Sequence, residues 1–149
     1  IFIARQFVKH QVGFVWNEES RRYIDSAPWF FIPETFRKRP DSMKQGSTNE
    51  GEIPVTDAVE ADVVARAKEA ALDYKVLLAR GVAPEQARMF LPLNMMTEWY
   101  WTGSLAAWLR FIHLRDDDHA QAECRPYAQA VAAVIKERFP LTYGAVYEY

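Results

Sequence analysis

Cysteine is nearly absent: Cys124 is the only one in 149 residues. That excludes an intramolecular disulfide framework and any cysteine-based zinc cluster. Glycine is scarce and scattered, at positions 13, 46, 51, 81, 103 and 144, with no Gly-x-Gly-x-x-Gly or Walker spacing. A dinucleotide or phosphate would therefore be held without either familiar glycine cradle. No apolar run reaches membrane-spanning length, because Arg110 interrupts the best stretch, residues 105–112. Cationic excess is missing too: 18 Lys and Arg face 20 Asp and Glu, for a formal net charge of −2. A polyelectrolyte role on nucleic acid is not expected, but a local anion site is compatible. The opening Ile1-Phe2-Ile3-Ala4-Arg5 lacks an initiator Met, starts inside an apolar segment and reads as cut. No basic, apolar leader is visible, and a cytoplasmic location is expected.

Apolar residues make up 50% of the chain and aromatics 14%, far from the signature of disorder. The length fits a single domain over 1–149. Residues 1–9 read as the end of a helix, and 12–24 as a strand that is polar in its middle. Pro28, Pro33 and Pro40 punctuate an aromatic stretch, and residues 41–54 read as a flexible surface loop. A long helix is expected over 57–79, with Asp57 as N-cap and Gly81 as its stop. Its apolar stripe comprises Val59, Val63, Ala67, Ala70, Tyr74 and Leu77. A short helix begins at Pro84, a strand covers 93–102, and helices cover 104–114 and 119–138. The last of these has a stripe of Cys124, Tyr127, Ala128, Val131, Val134 and Ile135. One more helical turn or two is expected over 141–149. The fold class is α+β, helix-rich with a small, mostly antiparallel sheet.

The chemistry lies in cations that lack an evident structural reason. Arg5, Lys9, Arg21 and Arg22 are close in sequence, among Gln6, His10, Gln11 and Ser20; Arg88, Arg110 and Arg115 follow later. Taken singly, each arginine has a plain reading as the partner of Glu18, Glu19, Glu98 or the Asp116–Asp118 run. Together, in an acidic chain, they favour an anion site, since Arg forks match phosphate geometry. His113 and His119 have a spacing that fits no helix-face pair, so no metal site is expected. Cys124 reads as a small buried hydrophobe.

The stretch ARQFVKHQVGFVWNEESRRY, residues 4–23, resembles the signature of flavin-dependent thymidylate synthases. That signature runs Arg-His-Arg, seven residues, then Ser and a further Arg. The block RMFLPLNMMTEWYWTGSLAAWLRFIHLRDDDHAQAE, residues 88–123, resembles the same family in its LPLN, TEWYWTG and LRxDxHAQ patterns. Lys9-His10-Gln11 replaces Arg-His-Arg, and eight residues rather than seven precede Ser20. Lys9 keeps a cation without the planar fork, and Arg110 offsets the charge absent at Ala106.

The resemblance implies the fold of that family, a homotetramer with active sites at subunit interfaces, and an N-terminal portion missing here. A separate chain could supply that portion. It also implies conversion of dUMP to dTMP, with 5,10-methylenetetrahydrofolate as carbon donor and NADPH as hydride source through FAD. Arg115 would be the catalytic residue against the uracil ring. Gln6, Lys9, Glu18, Ser20, Arg21, Arg22 and Arg88 would join it on dUMP. Lys9, His10, Gln11, Glu18, Ser104, Ala106 and Arg110 would serve FAD. Trp99, Tyr100 and Trp101 would line an interface or a ring-stacking surface, or else belong to the core. Two alternatives stay open: a non-catalytic dUMP-binding fragment, or half of a split enzyme. A Mg²⁺-dependent phosphohydrolase built on residues 116–118 ranks last.

Overall fold

A computed structural model describes residues 1–21, 26–38, 53–54 and 57–148. Helices dominate, and the strands are short. In chain order the elements are α1 (Phe2–Phe7), β1 (Phe14–Glu18), β2 (Thr35–Phe36), β3 (Ile53–Pro54), α2 (Asp57–Ala79), α3 (Pro84–Ala87), β4 (Trp99–Gly103), α4 (Leu105–Arg115), α5 (Arg125–Arg138) and α6 (Pro140–Tyr147). β1 pairs with β4, and β2 pairs antiparallel with β3. The class is α+β, as the sequence implies. Counted over the described residues, one compact unit holds 1–2, 17–38 and 53–99, and a second holds 3–16 and 100–148.

In the first unit α2 packs on α3 and on the 3-10 turn Arg88–Phe90 that continues it. Ala67 and Tyr74 bury the middle of the α2 stripe. The helix ends in a Schellman motif, with Val82 N–H bonded to Leu77 O and Gly81 N–H to Leu78 O. Gly81 sits there at φ +83°, a conformation that favours glycine. The strand expected over 93–102 starts late, at Trp99. Met95 N–H closes a turn onto Pro92 O, and Met95 forms only an isolated antiparallel bridge with Phe30. Phe31 N–H bonds Asn94 O and Met96 N–H bonds Trp29 O, so 94–96 pair with 29–31 instead of extending β4. Of the strand expected over 12–24, residues 14–18 form β1, and 22–25 lie outside the described residues. Residues 41–52 of the expected loop also lie outside them, while 53–54 form β3.

The second unit is built on stacked rings. Phe7 stacks on Trp101 at 5.8 Å between centroids and meets Phe111 edge-on at 5.0 Å. Phe14 lies 4.4 Å from Trp101 and 4.8 Å from Trp108. Along β4, Trp101 therefore turns into the core, whereas Tyr100 is 84% exposed. Ser104 caps α4 by accepting the Ala107 N–H at 3.3 Å. α5 begins at Arg125, not 119. Pro126 is tolerated in a first turn, but an earlier start would drive its ring into the carbonyl four residues back. The stripe that α5 buries follows Cys124, Ala128, Ala132 and Ile135, leaving Tyr127 and Val134 exposed. Tyr147 Oη donates to Leu109 O and ties α6 to α4. Among the described residues, no helix is long and apolar enough to cross a membrane.

Candidate functional site

Arg115 closes the last turn of α4, where a cation suits the helix dipole. Its Nε donates to His10 Nε2 at 2.8 Å and its Nη2 to Gln6 O at 3.3 Å. Two edges of the guanidinium are thus fixed by α1 and the turn after it, and Nη1 has no hydrogen-bond partner among the described residues. His10 is held edge-on against Phe111, with centroids 5.2 Å apart. Burial, then the Arg115 and Arg110 cations, pull its pKa down to about 4. At neutral pH the ring is uncharged, and its Nε2 can accept the hydrogen bond from Arg115 Nε–H.

Gln6 extends the cluster. Its Nε2 donates to Gln121 Oε1, and its Oε1 accepts from the Cys124 thiol at 3.8 Å. Burial pushes the Cys124 thiol up, so it is a donor and not a thiolate. Sequence reasoning gave Gln121 no role, although it closes the recognised LRxDxHAQ pattern.

Ser104 N–H bonds Gly13 O at 2.9 Å, and Arg110 Nη2 donates to Val12 O at 3.3 Å. These bonds bring the turn before β1 against the start of α4. Lys9 and Gln11 are exposed on the turn, and Ala106 and Arg110 on the helix. Gly13, at φ +80°, allows the approach, since a Cβ there would lie 2.9 Å from Ser104 Oγ.

The remaining proposed residues belong to the first unit. The Glu18 carboxylate accepts from Thr97 Oγ1 at 2.7 Å. Arg21 donates to Ser26 O and, at 3.5 Å, to Ala27 O. Ser20 is half-buried and Arg88 exposed. Arg22 lies outside the described residues.

At three of the arginines singled out in the sequence, the hydrogen-bond partners are not the expected acids. Arg21, Arg110 and Arg115 bond carbonyls or His10. Within the acidic run, Asp116 bonds Gln129, Asp117 bonds His119 and Asp118 bonds Arg125.

Residues 1–141 match the family model described as thymidylate synthase complementing protein. The chain belongs to that family. The flavin-dependent thymidylate synthase of Thermus thermophilus is 43% identical to this chain over 149 residues, which cover all of this chain and 54% of that protein. The Kosmotoga olearia enzyme of the same name is 38% identical over 153 residues, covering 97% of this chain and 63% of its own length. This family member thus spans about half the length of the Thermus relative. Among solved structures, the UMP/dUMP methylase PolB from Streptomyces cacaoi, bound with 5-Br dUMP, superposes with a TM-score of 0.82. It is 27% identical, and the match covers 100% of this chain and 67% of PolB.

Proposed function

We propose that the chain acts as a flavin-dependent thymidylate synthase. It would methylate dUMP to dTMP with 5,10-methylenetetrahydrofolate as carbon donor and NADPH as reductant through FAD. The observation that carries this reading is Arg115, a half-buried cation oriented by His10 and the Gln6 carbonyl, with no carboxylate partner among the described residues. A guanidinium fixed on two edges presents its third to an anion. Against a uracil ring it stabilises the charge that develops on ionisation at N3 and moves electron density toward C5. Cys124, buried and bonded to Gln6, is not set up as a nucleophile, which fits activation of C5 without a cysteine adduct.

The exposed set of Lys9, Gln11 and Arg110, next to the Ser104 cap, supplies two cations and an amide. That donor chemistry fits the pyrophosphate and ring edges of FAD. Bound FAD supplies the hydride chemistry that no side chain has. Ser20 and Arg88, with Arg22, serve the dUMP phosphate, and Glu18 and Arg21 complete the nucleotide set. A homotetramer drawing site residues from several copies belongs to the same reading.

Ala106, an exposed methyl with nothing to donate, favours a second reading, in which the chain binds dUMP without flavin, alone or as half of a split enzyme. Absorbance in the flavin region before and after adding FAD separates the two. Retained colour with dUMP-dependent NADPH oxidation supports the first, and dUMP binding without colour supports the second. Native mass measurement shows whether a companion polypeptide or further copies are present.

A further inference from the structure

Gln6 is tethered at both ends of its carboxamide by residues of one turn, the segment between α4 and α5. Gln121 Oε1 takes the Nε2 proton, and the Cys124 thiol faces Oε1. That turn is itself braced, because Cys124 N–H bonds Gln121 O at 2.8 Å and Ala120 N–H bonds Asp117 O at 2.9 Å. Gln6 passes the constraint on, since its main-chain oxygen holds Arg115 Nη2. A free glutamine side chain samples several rotamers and must give them up on binding a ligand. Here that cost is met by the fold. The amide is also fixed in sense, with its carbonyl toward the thiol and one Nε2 proton left to offer.

We propose that Gln121 is a positioning residue. By holding the Gln6 carboxamide in one orientation, it sets the affinity for the pyrimidine nucleotide through Gln6. The inference rests on the dUMP reading above and adds to it a residue outside the nucleotide contacts. It predicts energetic coupling between positions 6 and 121, which a merely structural role for Gln121 would not produce.

The test is a double-mutant cycle read by calorimetric titration of dUMP into the full chain. The proteins are wild type, Gln121→Met, Gln6→Ala and the double variant, each with its thermal midpoint recorded. Gln121→Met removes the amide while keeping the length of the side chain; Gln121→Ala replaces it if the cooperative melt is lost. Gln121→Met is expected to weaken dUMP about fivefold, the size of one hydrogen bond, and to have no further effect once Gln6 is alanine. Unchanged affinity in Gln121→Met, or losses that multiply in the double variant, overturns the proposal and leaves the dUMP reading standing. A folded wild-type chain that does not bind dUMP overturns both.

Discussion

Arg115 Nε and His10 Nε2 lie 2.8 Å apart, and the bond has one direction: the guanidinium donates, so the imidazole carries its proton on Nδ1. An imidazolium could not accept that bond and would repel Arg115. The His10 pKa of about 4 lies below its ordinary value, so the folded state favours the neutral ring. Its stabilising contribution is full above about pH 6.5 and is lost as pH falls toward 4, because the unfolded chain binds the proton first. A thermal-midpoint series from about pH 7 to about pH 4 is expected to show a decline across this window. His10→Asn is expected to flatten it. An unchanged slope in that variant would remove His10 from the cause.

Gly103 ends β4 under the Phe14 ring. A Cβ at this position would run into Cδ1 and Cε1 of Phe14 and come within 3.0 Å of Trp108 Nε1. Neither aromatic can move without disturbing Trp101. Gly103→Ala is expected to cost about 1–3 kcal/mol by overpacking, read from urea denaturation. A neutral result would show that the rings repack.

Gly81 presents the opposite case: nothing stands within 4 Å of a Cβ, and only its φ of +83° is at stake. Gly81→Ala should therefore cost about 1 kcal/mol, the conformational penalty alone. The same melts measure it, and the absence of any cost would contradict the left-handed conformation that the Schellman motif requires of Gly81.

Phe7 is fully buried and touches Trp101, Phe111 and Tyr127. Phe7→Ala is expected to destabilise the chain by about 3–5 kcal/mol. Phe7 also anchors the end of α1 from which Gln6 and His10 reach Arg115, so dUMP affinity should fall in parallel.

Much of this was legible in the residues. The stop of α2 followed from Gly81, and the start of α4 from Gly103-Ser104. Strand ends were less legible, because the bonds that decide them are tertiary or side-chain: Asn94 reaches Phe31, 63 positions away. The start of α5 is legible in Pro126, whereas the expectation of a helix from 119 follows the end of the Asp116–Asp118 run, five residues before the apolar stripe begins at Cys124. At the site, the cations stood out because an acidic chain gives no general reason for them. Their partners did not, since His10 and Arg115 are 105 residues apart. Gln121 was hidden because a neutral amide carries no charge signal, and only the fold shows that it faces Gln6.

The most direct measurement is turnover of dUMP to dTMP, with NADPH oxidation and flavin absorbance followed on the same FAD-loaded samples of wild type and Arg115→Ala. Removing a preorganised charge at the reacting ring should lower turnover by about 100-fold or more, with the flavin spectrum retained. Undiminished dTMP formation by Arg115→Ala would contradict the assignment of Arg115 to the uracil ring.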